Sequence, residues 1–239
     1  MRANTSTQQT YHAPEELTVT QSSTLKEVHQ NLTEKISDMD FPCVGAKAAI
    51  NSRQYRIGMY GNMGTADTTQ ALATDLKSYI AETLAADSEY MTMIAVFSDE
   101  IKDETEFEAK LWAQLQQLHD GEKHEQSWDP QVSSDPTDEN FSFSFNGTAF
   151  FIVGLHPRAS RRARRFGFTA MAFNLHRQFE QLREKGVYES MKKVIREREL
   201  GYDGSINPML NDFGDGLEAP QYSGRQVDET WKCPFLAGK

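Results

Sequence analysis

The sequence predicts an α+β fold, a single domain in which a partly antiparallel sheet of about five strands is covered by helices. Three observations carry that prediction. Apolar residues recur at helical spacing in several separate windows. Phe141, Phe143 and Phe145 alternate with Ser142 and Ser144, the period of a strand with one apolar face. Asn146-Gly147 follows at once and supplies the two positive-φ residues of a tight hairpin turn, so Thr148 to Leu155 returns antiparallel beside it.

The remaining elements follow in order. Residues 1–22 are Thr-, Gln- and Ser-rich without an apolar period and are expected to form an irregular N-terminal arm, leaving 23–239 as the domain. Leu25, Val28, Leu32 and Ile36 mark a first amphipathic helix after the candidate cap Ser23. Cys43 to Asn51 is a short helix of small residues, and Tyr55 to Tyr60 a strand. Leu72, Leu76, Ile80 and Leu84 define a long helix, and Tyr90 to Phe97 is a short apolar run read as a buried strand. Phe107, Leu111, Leu115 and Leu118 give a third long helix, and Gly121 to Asn140 an exposed loop. Past the hairpin come a strand at Phe168 to Phe173 and helices at Asn174 to Lys185 and Val187 to Glu199. Everything beyond Gly201 is punctuated by Gly and Pro, with Trp231 to Phe235 as an apolar tack.

Composition narrows the function. The mean hydropathy is −0.63, and no apolar run approaches the ~18 residues of a membrane span or a secretory leader. Cys43 and Cys233 stand far apart without metal-ligand spacing, which points to a reduced, cytoplasmic protein. The net charge of −10 hides an asymmetry: fifteen acidic and three basic residues between Asp87 and Glu139, against five acidic and twelve basic between His156 and Leu200. A basic face on an acidic chain suits a local anion site better than a nucleic-acid surface, which would interleave its arginines with aromatics. No nucleic-acid or membrane partner is expected, and self-association is compatible with the composition.

Chemistry concentrates in the second half. A strand delivers His156, Pro157 stops it, and Arg158, Arg161, Arg162, Arg164 and Arg165 follow within eight residues. An imidazole ligates iron and arginines bind carboxylates bidentately, so the segment suits a haem with its two propionates; a solvated basic loop around a structural histidine explains the same residues. His176 and Glu180 lie four apart at a helix start, where the carboxylate can fix the imidazole tautomer. Cys43 is either a packing residue or a thiolate ligand. The tail from Asn207 to Arg225 carries Asp212, Asp215, Glu218, Tyr222 and Arg225 among turn formers, the composition of a binding loop or of a solvated acidic one. No nucleophile elbow, Walker loop or dinucleotide fingerprint is present.

These stretches also carry a resemblance. Phe41-Pro-Cys-Val-Gly-Ala-Lys-Ala, Val153-Gly-Leu-His-Pro-Arg-Ala-Ser-Arg with Ala163-Arg-Arg-Phe, Phe173-Asn-Leu-His-Arg-Gln-Phe-Glu-Gln-Leu-Arg, Gly204-Ser-Ile-Asn-Pro-Met-Leu, Gln221-Tyr-Ser-Gly-Arg and Trp231-Lys-Cys-Pro-Phe resemble the YqcI/YcgG family from residue 41 onward. Some members of that family are haem-dependent N-hydroxylases of guanidino compounds, in hydroxyarginine and guanitoxin biosynthesis. The resemblance therefore implies haem as cofactor and hydroxylation of a guanidino nitrogen in arginine or an arginine-like small molecule. Asp215-Gly-Leu-Glu218-Ala stands where the family shows a Glu-x-Ser-Glu-Ala pattern, which leaves the substrate this chain's own.

On that basis His156 is the expected iron ligand, with His176 second and Cys43 third. Arg158, Arg161 and Arg165 are expected at the propionates, and Asn207, Asp212, Asp215, Glu218, Tyr222 and Arg225 around the substrate. The chain shows no flavin or iron–sulfur motif, so the oxidant is dioxygen with an external electron donor, or peroxide. A non-catalytic haem carrier or sensor is the rival expectation.

Overall fold

A computed structural model describes residues 10–122 and 128–237. It shows an α+β protein with seven α-helices and one six-stranded mixed sheet. In chain order the elements are β1 (Tyr11–His12), α1 (Pro14–Val19), α2 (Ser23–Ser37), α3 (Val44–Asn51), β2 (Tyr55–Tyr60), α4 (Ala66–Ala86), β3 (Thr92–Phe97), α5 (Glu104–Glu122), β4 (Phe143–Phe145), β5 (Thr148–Leu155), β6 (Thr169–Leu175), α6 (His176–Glu184) and α7 (Tyr188–Asp203). The strands lie in the order β1-β2-β3-β6-β5-β4. Only β2 and β3 pair parallel, with α4 as their crossover; every other pair is antiparallel.

The turn between β4 and β5 is as the sequence requires, with Asn146 and Gly147 at φ 53° and 67°. The cap of α2 is Ser22, whose Oγ accepts the Leu25 N–H, one residue earlier than expected. Residues 10–22 are not an irregular arm. Tyr11 and His12 pair with β2, Thr10 and the Tyr60 hydroxyl share the buried Asp75 carboxylate, and Leu17 of α1 is buried beside α2. Residues 1–9 of the expected arm, and 123–127 of the expected exposed loop, lie outside the described residues.

Strand alternation divides the core into two. On one face Met93, Ala95 and Phe97 of β3, Met171, Phe173 and Leu175 of β6, and Phe150 and Ile152 of β5 pack against α4, α5 and the tail residues Tyr222 and Phe235. This layer is crowded with rings: Trp112 stacks on Tyr222, and Phe235 meets Trp112, Phe141 and Phe143. The apolar tack around Phe235 is thus seated in the main core. On the other face Ile94, Val96 and Ala170 pack against α2 and the Phe41 segment, with Ala172, Leu155 and α3 at the margin. Filling there is incomplete and leaves a cavity.

Candidate functional site

The cavity encloses about 340 Å³, within the roughly 300–1,000 Å³ of small-molecule sites. Its floor is three cross-strand rows, Thr92–Asn174–Phe151, Ile94–Ala172–Val153 and the end of β5 at Leu155. From Phe151 to Leu155 the floor runs roughly 13 Å, four residues at the antiparallel rise. Ala172 at its centre, and Gly45, Ala46 and Ala49 on α3, leave the room that larger side chains would fill. Helices α6 and α7 form further walls, and residues 207–221 wrap the remaining side.

His176 stands at one end of the floor, where β6 turns into α6. It is 5% exposed, its ring edge-on to Phe213 with centroids 4.4 Å apart. Nε2 lies 3.4 Å from Glu180 Oε1, and among the described residues Nδ1 has no hydrogen-bond partner. Burial pushes the imidazole below its usual range although Glu180 opposes the shift, so the ring is neutral at pH 7. A neutral imidazole with one nitrogen held by a carboxylate and the other unengaged is the arrangement of a metal-ligating histidine.

His156 is elsewhere. It continues the alternation of Phe150, Ile152 and Gly154, which face α5, whereas the cavity is lined by Phe151, Val153 and Leu155. Its ring stacks on Phe107 at 4.3 Å, its side chain is wholly buried, and neither ring nitrogen has a partner. Gly154 keeps this face tight: a Cβ there would come within 2.5 Å of the Phe107 ring and 2.7 Å of the Tyr222 carbonyl. His156 therefore lies outside the cavity, and strand parity puts the sheet between it and the lining residues Asn207, Asp212 and Glu218.

The three arginines expected at the propionates also lie outside the cavity. Arg158 is exposed, Arg161 faces Glu199 and Asp203, and Arg165 bonds the carbonyls of Ala159 and Ser160; none lines the cavity. Arg164 does, with its guanidinium buried and donating to the carbonyls of Gly154, Gln221 and Tyr222. Burial, against the pull of Glu199, brings its pKa down to about 10. It ties the end of β5 to the tail. Cys43 caps α3, its Sγ accepting the Ala46 N–H, and lines the cavity; burial pushes the thiol up, which keeps it neutral.

Of the tail residues, Asn207, Asp212 and Glu218 line the cavity, while Asp215, Tyr222 and Arg225 do not. Asp215 is exposed and Arg225 pairs with Glu108 under α5. Tyr222 sits in the opposite core but reaches back through its hydroxyl to Glu218. Asn174, Glu199 and Glu89 are wall residues not singled out in the sequence; Asn174 carries the one signal, a polar side chain at the end of an apolar strand. Four carboxylates reach the walls. Glu89 pairs with Lys185, Asp212 with Lys192 and Arg196, and Glu199 lies 3.7 Å from Arg161 and accepts the Asn207 N–H. Glu218 is in no ion pair.

Fold and cavity together define an α+β protein with a cavity roofed onto one face of a mixed sheet, lined by polar groups of α6, α7 and the tail among others. The chain belongs to the YqcI/YcgG family, whose pattern matches residues 32–236. It is similar to two uncharacterized proteins of Bacillus subtilis (strain 168): YqcI, 28% identical over 222 residues that cover 87% of this chain and 86% of that one, and YcgG, 28% identical over 207 residues covering 82% and 80%. No solved structure matches the chain. Among the described residues no helix is long and apolar enough to cross a membrane, and no three His, Cys, Asp or Glu side chains converge as a metal cluster.

Proposed function

We propose that the cavity binds haem and that the protein uses it to N-hydroxylate the guanidino group of arginine or an arginine-like small molecule. One observation carries this: a buried neutral imidazole, His176, fixed by Glu180 through one nitrogen and unengaged at the other, stands on the wall of a mainly apolar slot roughly 13 Å long. The donor set fits a planar apolar cofactor with a single iron. His176 would hold the metal, with Cys43 the alternative donor on the same walls. Arg183 and Lys192 would meet the propionates, exchanging their present partners Glu180 and Asp212.

Bound haem would supply the oxidising chemistry, drawing on dioxygen with an external electron donor or on peroxide. The chain's own residues position the substrate and keep water out. Ile94, Val153, Ala172 and Leu155 make the floor apolar, so charges within the cavity interact strongly. Glu218 supplies the acidic contact for a cationic guanidino group.

Adding haem to the purified full chain should give one-to-one uptake and a Soret band, and adding arginine with peroxide or a reductant should give N-hydroxyarginine by mass spectrometry. No Soret band and no uptake would end the proposal. A Soret band without turnover of arginine, agmatine or other guanidino compounds would instead support a haem carrier or sensor.

A further inference from the structure

Among the cavity carboxylates Glu218 has a geometry of its own. Its side chain is 4% exposed. Ser142 Oγ and Tyr222 Oη both donate to Oε1, at 2.8 and 2.5 Å. Oε2 receives no hydrogen bond. A carboxylate oxygen offers two lone pairs, so Oε1 is saturated and only Oε2 can meet a ligand. A guanidinium fork needs both oxygens of its partner, which this arrangement denies. Tyr222 is itself fixed: its one hydroxyl proton goes to Glu218, the shorter of its two contacts with acceptors (the Phe150 carbonyl lies at 3.2 Å), its oxygen accepts the Phe143 N–H, and its ring stacks on Trp112. Oε2 is thereby held in one direction.

We infer that Glu218 is the proton-exchanging contact for the cationic ligand: Oε2 accepts a single N–H of the guanidino group, and the carboxyl releases its own proton to solvent as the cation binds. This rests on the cavity being the guanidino site. Protons balance: the neutral acid loses one from Oε2, the ligand keeps all of its own, and no covalent bond to the ligand forms or breaks. Burial raises the Glu218 carboxyl to about 7 despite the two hydroxyls that oppose the rise, so both protonation states are populated at physiological pH. The other charged or titratable groups that act on it are Tyr222, raised well above its usual value, and on α6 the Arg183 guanidinium.

The test is calorimetric titration of the full chain, with and without added haem, at about pH 6, 7 and 8 in buffers of different ionisation enthalpy. Arginine is the probe and citrulline, its neutral isostere, the control. Arginine affinity should fall by about tenfold per pH unit below the Glu218 midpoint, with roughly half a proton released per arginine at pH 7, while citrulline shows no slope. Glu218→Gln should lower arginine affinity about 10- to 100-fold above pH 8, the scale of a lost charged hydrogen bond, and abolish both slope and proton release. Tyr222→Phe removes one donor from Oε1, so it should shift the midpoint upward and retain the slope. A flat wild-type profile, or a slope that survives in Glu218→Gln, would overturn the inference. A Soret band with a flat arginine profile would remove this inference alone; a Glu218-dependent slope without a Soret band would remove the haem and leave it.

Discussion

Two histidines, one on each face of the same sheet, occupy opposite chemical situations. His156 is sealed between the end of β5 and Phe107, with no partner for either nitrogen, and burial brings its pKa down to about 4. His176 is also buried and neutral, but it has a carboxylate on one side and a cavity on the other. The faces differ in the same way. The α5 side is filled by interlocking aromatic rings, whereas the cavity side is floored with Ala, Val and Thr and leaves space. Burial of an imidazole alone therefore says little about ligation; what counts is whether one nitrogen is fixed while the other has room.

The sharpest way to break this comparison is to exchange the fates of the two rings. If haem occupies the cavity, His176→Ala should abolish the Soret band of the haem-loaded chain and His156→Leu should leave it unchanged, because Leu replaces two unpartnered polar atoms outside the cavity. Loss of the band on His156→Leu, in a protein whose circular dichroism is intact, would reinstate His156 as the ligand.

Next in size is a contrast between arginines. Arg164→Ala strips hydrogen bonds from three buried carbonyls and should destabilise the chain by about 2–4 kcal/mol in urea denaturation. Arg158→Ala, exposed and without a hydrogen bond, should stay within about 0.5 kcal/mol. Equal effects would mean that the basic segment acts as a charge cloud and that the Arg164 tie is not specific.

The smallest effect is in the pH dependence of stability. The folded state depresses His156 from 6.5 to about 4, so the unfolded chain binds more protons in that window and stability falls as pH drops through it. Glu218 is raised from 4.5 to about 7, so the folded chain binds more protons there and stability falls as pH rises. The two oppose each other between pH 4.5 and 6.5 and flatten the wild-type curve. His156→Leu should expose the downward slope and Glu218→Gln the upward one, each on the order of 1 kcal/mol once water near the groups is allowed for. Thermal melts across that range would show it, and parallel curves for all three proteins would refute the assignment.

Much of this was legible in the chain. The Phe-Ser alternation and Asn146-Gly147 mark the β4–β5 hairpin, and the helices carry their apolar residues at the spacing that buries them. Cys43, His176, Asn207, Asp212 and Glu218, drawn from three separated segments, do share one cavity. The side of the sheet that His156 faces was not legible, because β5 is apolar on both faces: Phe150 and Ile152 turn one way, Phe151, Val153 and Leu155 the other. Nor could five similar arginines be told apart, since only burial in the folded chain singles out Arg164. Strand β1 escaped because a two-residue strand has no period to detect.

That short strand has a consequence for assembly. The sheet tapers to stubs at both margins, two residues in β1 and three in β4, while the strands between them run six to eight. A neighbouring molecule offered such a margin finds two or three rungs to grip, too few to prolong the ladder, so copies of this protein are discouraged from growing into fibrils through their sheets. Residues 11 and 12 then act as a cover strip over the middle of β2, and cutting them away would bare Ile57 and Gly58 and leave the six-residue edge Tyr55–Tyr60 open to whatever strand arrives next.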